Sequence, residues 1–139
     1  MSVLAEALSL RLLNNGIKNS IHGDDKEAVI IKQQLPQSKI VITVLYLTED
    51  KTNSVSIRFY NFCKMDENEK SGNLFYLLND MNQRYRWGKV VLDGDDIVLS
   101  MDAMVTPFNI ADICIQLTMY GAQIADETYY AIEKLRYKL

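Results

Sequence analysis

Four aspartates lie close together in the middle of the chain, and carboxylates spaced this closely could hold a divalent cation. They are Asp93, Asp95, Asp96 and Asp102. A calcium loop of the EF-hand type needs oxygen ligands at alternate positions, a central Gly and a Glu at its end. Here Gly94 comes second and no Glu follows at the required place. The pattern therefore predicts an acidic hairpin turn and no bound metal.

Groups for nucleophilic or acid–base catalysis are scarce. His22 is the single histidine, and it lies in a polar segment that predicts an exposed loop. A pH-sensing or ligand-binding role for His22 is the alternative. The chain has no nucleophile elbow and no Gly-rich phosphate loop, and its Glu residues are scattered. Cys63 and Cys114 form no CxxC pair, so we expect two small buried side chains rather than a disulfide or a zinc site. We predict no enzymatic activity and no cofactor.

One basic and aromatic cluster runs through Arg84-Tyr85-Arg86-Trp87-Gly88-Lys89. Such a cluster could stack on single-stranded nucleic acid and neutralise its phosphates. However, the net charge is −3 and the pI is near 5.1, which disfavours binding through phosphate neutralisation. We therefore interpret the cluster as a helix end with Trp87 on the rim of the core, and expect no nucleic-acid partner.

The elements around this cluster follow from the hydrophobic periodicity. A helical apolar stripe comes first, and two strands of period two follow it, joined at Asp93-Gly94, a strong hairpin signal. The stripe is Leu74, Leu77, Leu78, Met81 and Tyr85, and the strands carry Val90, Leu92, Ile97, Leu99 and Met101. Ser71 would cap this helix and Gly88 would close it in the left-handed conformation. Asn79 and Asn82 are weak helix formers, so we expect both to bond neighbouring backbone, a ligand site being the alternative.

The run LLNDMNQRYRWGKVVLDGDDIVLSMD resembles the signature region of the YbjN family, small bacterial proteins whose fold is similar to that of type III secretion chaperones. The resemblance is carried by Asn79 and Asn82, three residues apart, by Trp87, and by Leu92-Asp93 and Asp102. It implies an α+β fold. The family's proteins are described as sensory regulators or as chaperone-like proteins, and the resemblance implies a role of that kind.

The remaining elements lie on either side of this region. We predict a helix at 3–14 ending at Gly16, a polar connection at 17–25, strands at 27–33, 40–47 and 53–63, and a helix at 110–137. The apolar run at 40–47 predicts a strand covered on both faces. Asn109 and Asp112 would cap the last helix. That helix would be roughly 42 Å long at about 1.5 Å per residue, so its last turns could project or contact a second subunit. Gly121 would allow close packing or a kink.

The strand at 53–63 suggests a binding surface. Val55, Ile57 and Phe59 alternate onto one side and should face the helices. Ser54, Ser56, Arg58, Tyr60 and Phe62 alternate onto the other side. Aromatic residues and Arg are enriched at protein interfaces, so we predict Arg58, Tyr60 and Phe62 as partner-binding residues. The alternative is that a helix or loop folds back and buries them.

The length and composition of the chain limit the remaining possibilities. A chain of 139 residues with 48% hydrophobic and 24% charged residues predicts one α+β domain over residues 1–139, of order α-β-β-β-α-β-β-α. No segment is apolar enough to span a membrane, and Glu6 and Arg11 argue against a signal peptide. The resemblance implies a chaperone-like role, and the acidic pI, the aromatic outer face and the lack of catalytic residues agree with it. We expect a cytoplasmic, chaperone-like protein-binding module that acts through its sheet face and long C-terminal helix. Its partner would be a protein, a peptide or a second copy. The alternative is a regulatory domain that senses a small ligand in a signalling or stress pathway.

Overall fold

The computed structural model describes residues 1–137, which form three α-helices and one six-stranded antiparallel sheet. The elements are α1 (Val3–Asn14), β1 (Ser20–His22), β2 (Ala28–Gln34), β3 (Val41–Glu49), β4 (Ser54–Tyr60), a 3₁₀ turn (Glu67–Glu69), α2 (Gly72–Arg84), β5 (Lys89–Asp93), β6 (Asp96–Met104) and α3 (Ile110–Arg136). The strand order in the sheet is β1-β2-β3-β4-β6-β5. The predicted α+β class and the predicted order are confirmed. The short edge strand β1 is an addition, because the segment at 17–25 was expected to be only a polar connection.

The three helices cover one face of the sheet. One cross-strand row on that face consists of Ile31, Val44, Phe59, Leu99 and Val90, which are neighbours in the register of five strands. All five side chains are buried in a single hydrophobic core. Val55 and Ile57 are buried on the same side of β4, as their alternation predicted. We call the opposite side the outer sheet face.

The prediction that the strand at 40–47 is covered on both faces is wrong. Ile42, Val44 and Tyr46 of β3 are buried, but Val41 and Leu47 are 58% and 42% exposed on the outer sheet face. A continuous apolar run fits a strand buried on one side as well as one buried on both, and only the position of the helices separates the two cases.

Helix α1 is fixed at its N-terminus by a loop from the sheet. Ser2 Oγ accepts from the Ala5 N–H at 3.1 Å, as expected of an N-cap. Asp50, in the β3–β4 loop, accepts from Ser2 Oγ and from the Val3 N–H, each at 2.8 Å. Partial desolvation opposes ionisation of Asp50, but these hydrogen bonds outweigh it and lower the pKa of the carboxyl. The loop therefore caps α1 and sets its position on β2 and β3.

Both ends of α2 differ from their predictions. Helix α2 ends at Arg84, and Tyr85 is already extended with φ −93° and ψ 128°. Gly88 is not in the left-handed region; it is needed because a Cβ there would lie 2.7 Å from Leu99 Cδ1. Ser71 does precede α2, but its side chain makes no capping hydrogen bond. The chain has therefore left the helix before it reaches Gly88, where the backbone passes close to Leu99 and Met101 of β6.

The predicted cap of α3 is also corrected. Asn109 occupies the N-cap position, but its side chain accepts from the Thr106 N–H at 2.7 Å instead of bonding the helix. Asp112 forms an exposed ion pair with Arg11 of α1, 2.7 Å apart. Asn109 therefore stabilises the preceding turn, and Asp112 contacts the neighbouring helix α1. The two residues form no capping box.

Helix α3 is joined to the sheet along its length. Tyr46 Oη lies 2.6 Å from Thr118 Oγ1 in the core. Gly121 allows close packing, because a Cβ there would lie 2.1 Å from Phe59 Cζ. The buried Asp126 accepts from the Gln37 N–H at 2.7 Å and so fixes the β2–β3 turn.

The last turns of α3 do not project, contrary to one of the possibilities derived from the helix length. Arg136 pairs with Glu69 of the 3₁₀ turn at 2.7 Å and with Glu133 at 2.8 Å. It also donates to the Lys64 carbonyl. The segment that follows β4 therefore contacts the C-terminal end of α3.

Candidate functional site

The outer sheet face is the side of the sheet that the helices leave uncovered. Two cross-strand rows define it, and both follow from the register of the central strands. One row is Ile30, Leu45, Arg58 and Ser100; the next is Ala28, Leu47, Ser56 and Asp102. Six strands spaced about 4.8 Å apart make a face roughly 24 Å across, which is wide enough for a helix of about 10 Å diameter or for an extended segment.

Two of the three predicted binding residues lie on this face. Arg58 is exposed and Tyr60 is half-buried. In the register, Arg58 is opposite Leu45, and Tyr60 is opposite Thr43. Arg58 has no carboxylate partner among residues 1–137, so its charge is available to another molecule.

The third predicted residue, Phe62, does not lie on the outer sheet face. Its side chain is 3% exposed and belongs to the core. The alternation breaks at Asn61, which has a left-handed φ of 71° and turns the chain toward the helices. Asn tolerates this conformation better than most residues, so Asn61 before Phe62 was a local signal that the strand had ended.

Sequence reasoning missed the apolar part of the outer sheet face. Leu47 and Val41 are exposed there, and Ile30 and Leu45 are half-buried. They went unrecognised because β3 was expected to be covered on both sides. Lys32 lies at the border of this area, with its Nζ donating to Thr43 Oγ1 at 2.7 Å. The face therefore combines a central apolar strip with basic groups.

Asn82 closes the β5 edge of the sheet. The Val90 N–H donates to Asn82 Oδ1 at 2.7 Å, and Asn82 Nδ2 donates to the Val90 carbonyl at 2.9 Å. The amide side chain thus pairs with the strand as a neighbouring strand would, which protects an exposed edge. The predicted anchoring role is confirmed for Asn82. Asn79 is exposed and makes no side-chain hydrogen bond within the described residues, so the same prediction is wrong for Asn79.

The acidic turn between β5 and β6 is a two-residue hairpin loop. Asp93 pairs with Asp96, and Gly94 has a positive φ of 61°. Lys70 Nζ lies 2.7 Å from Asp95, and this hydrogen bond lowers the pKa of that carboxyl. Among residues 1–137, no group of three His, Cys, Asp or Glu side chains is placed to hold a metal ion. The aspartates instead form a turn that is tied to the segment before α2.

Both cysteines are buried, and the Ser20–His22 pair lacks an orienting carboxylate within residues 1–137. Burial raises the pKa of Cys63 to about 11 and that of Cys114 to about 12, so both are thiols near neutral pH. Ser20 Oγ lies 2.7 Å from His22 Nε2 on β1, a contact that the sequence reading did not anticipate. Both residues are exposed, and within the described chain no carboxylate bonds the His22 ring. Nucleophilic catalysis by serine needs an oriented base, which this pair lacks.

The chain matches no protein-family model and no curated protein. The resemblance of 77–102 to the YbjN family therefore stays a prediction. Within residues 1–137, none of the helices combines the length and the apolar character that crossing a membrane requires.

Proposed function

We propose that this chain is a non-enzymatic, chaperone-like binding module that takes a protein or peptide partner on its outer sheet face. One observation carries the proposal: Leu47, Tyr60 and the unpaired Arg58 lie together on a face that no helix covers. Exposed apolar groups beside an Arg form the kind of centre from which protein interfaces are built. The exposed side of α3 lies on the opposite side of the sheet and would offer a second contact surface.

The resemblance supports the same class of function, and on that basis we propose membership of the YbjN family. We further propose a bacterial, cytoplasmic location, because both cysteines are free and the resemblance implies such a source. A second copy of the chain is a possible occupant of the face. A regulatory domain with a small ligand remains the alternative, although five cavities of the described chain, of about 220 to 660 Å³, are open rather than enclosed.

The test uses two exposed residues of the outer sheet face, Leu47 and Tyr60. We expect the double variant Leu47→Ser with Tyr60→Ser to lose self-association or partner capture, while its circular dichroism stays native. Phe75→Ser is the matched control, because Phe75 is 50% exposed on α2, away from the sheet face. Light scattering that finds a monomer, together with an unchanged set of partners for the double variant, would contradict the proposal.

A further inference from the structure

A groove runs along the exposed side of α3, and Asp102 is the one residue that it shares with the two rows of the outer sheet face. Three cavities of about 380, 220 and 660 Å³ follow one another along it. The first two share Trp87 and Tyr120, and the second and third share Arg84, Tyr85 and Glu127. Because neighbouring cavities share walls, the three lie in a row along α3, with the Tyr85–Glu127 hydrogen bond between the second and the third. We call this row the α3 groove.

The α3 groove has the length of an extended peptide. On α3 its lining begins at Ile113 and ends at Lys134. These residues are roughly 30 Å apart at about 1.5 Å per residue. An extended chain covers that distance with about nine residues. The groove is open to solvent along its whole length, so a segment could enter from the side.

Apolar and aromatic side chains line the groove. Trp87 is 55% exposed, and Tyr130 toward the other end of the groove is 41% exposed. Ile113 and Leu117 form the wall near Trp87, and Ala131 lies near Tyr130. Rigid aromatic side chains beside apolar walls are suited to anchoring apolar side chains of a bound segment.

The charge of the groove is opposite to that of the protein. Its lining carries Arg84, Arg86 and Lys134 but only two carboxylates, Glu127 and Asp102. The Tyr85 hydroxyl donates to Glu127, and Asp102 lies at the far end beside Trp87. The net charge of the whole chain is −3. Three cations against two carboxylates leave the groove with one excess positive charge on an acidic protein, which complements an acidic ligand.

The cations are not neutralised by strong ion pairs. Arg84 makes only an exposed pair with Asp80, 3.5 Å apart. The Arg86 guanidinium lies 6.0 Å from the centroid of the Trp87 ring. Neither Arg86 nor Lys134 has a carboxylate partner in the part of the chain that the structure describes. Their charges remain free for a ligand.

We propose that the α3 groove binds an extended acidic segment of another protein, with apolar side chains alternating between Asp or Glu residues. The apolar side chains would lie against Trp87 and Tyr130, and the carboxylates would face Arg84, Arg86 and Lys134. Nucleic acid fits less well, because three cations are few for a polyanion and much of the wall is apolar. The proposal rests on the proposed binding function but concerns a different surface.

A labelled synthetic peptide of about ten residues, in which Glu alternates with Leu and Phe, tests the proposal by fluorescence anisotropy. We expect saturable binding, and binding at least roughly ten-fold weaker for the same peptide with Lys in place of Glu. Trp87 is the single tryptophan of the chain, so its emission should change in parallel. No saturable binding, or equal binding of the Lys peptide, would overturn the proposal.

Charge-reversal variants locate the binding surface. Arg84→Glu with Arg86→Glu should weaken binding of the acidic peptide by roughly ten-fold or more. Arg58→Glu makes the same kind of charge change on the outer sheet face and should leave binding unchanged. The Leu47→Ser with Tyr60→Ser variant should also keep it, which separates failure of this proposal from failure of the proposed function. Equal loss of peptide binding in the Arg84→Glu with Arg86→Glu variant and in Arg58→Glu would show that the peptide binds elsewhere. Tighter binding of oligothymidylate than of the peptide would favour nucleic acid as the ligand. Either result overturns the proposal.

Discussion

The contact between Asn82 and Val90 ties α2 to the edge strand β5, and its strength can be measured directly. Asn82→Ala deletes two hydrogen bonds to the Val90 backbone, at 2.7 and 2.9 Å. Each such bond contributes about 1 kcal/mol net, and more where the remaining group is left unsatisfied. Replacing Asn by Ala inside a helix returns roughly 0.5 kcal/mol. We therefore expect the free energy of unfolding to fall by about 1–2 kcal/mol.

Asn79→Ala is the matched control on the same helix. Asn79 is exposed and its side chain has no hydrogen-bond partner within residues 1–137. This variant should change stability only through the higher helix propensity of Ala, and should become more stable by roughly 0.5 kcal/mol. The two variants should thus differ by about 2 kcal/mol, which measures the Asn82 hydrogen bonds free of the propensity effect.

Equilibrium urea unfolding followed by circular dichroism provides the measurement, with both variants compared at unchanged slope. Changes of equal sign and size in the two variants would refute the reasoning, because edge pairing by Asn82 would then contribute nothing. Asn82→Asp offers a second check. A carboxylate keeps the acceptor for the Val90 N–H but loses the donor to the Val90 carbonyl, so this variant should also be destabilised near neutral pH.

Two further predictions concern packing and pH. Gly121→Ala should lower the free energy of unfolding by about 2 kcal/mol in thermal melts, because its Cβ would meet the buried Phe59 ring. A Cβ at Gly72 would meet no atom within 4 Å, so Gly72→Ala should be neutral or stabilising by up to about 1 kcal/mol. Similar melting temperatures for both variants would contradict the close packing at Gly121. The Asp66 N–H and Arg136 hold the pKa of Glu69 below its usual value, so its stabilisation is present above the ordinary carboxyl range and lost as pH falls through the folded pKa. Stability should therefore fall less steeply between about pH 5 and pH 3 in Glu69→Gln than in the native protein, and equal slopes would refute this.

The sequence by itself determined the elements except the short edge strand β1. Apolar residues at helical spacing gave α1, α2 and α3, and alternation gave β4, β5 and β6, because these periods reflect the geometry of the backbone. Asp93-Gly94 located the hairpin for an equally local reason. The close packing at Gly121 was among the stated possibilities, since a Gly on the buried stripe of a helix leaves room for a neighbour.

Tertiary structure decided which faces are covered. Whether the apolar run of β3 is buried on one side or both depends on where three distant helices pack, and no window of local sequence contains that information. Phe62 lies in the core and not on the predicted binding surface, because the left-handed residue Asn61 reverses the alternation of side chains along the strand. The end of α3 is held by Glu69, a residue far away in the chain.

The two candidate binding surfaces show the same division. Arg58 and Tyr60 could be placed together from the sequence, because residues two apart on a strand share a face. The α3 groove could not be predicted, because the end of α2, the Tyr85–Trp87 segment, the end of β6 and the β2–β3 turn meet α3 only in the folded chain. Periodicity assigns residues to faces of one element, whereas a groove forms between elements and depends on their packing.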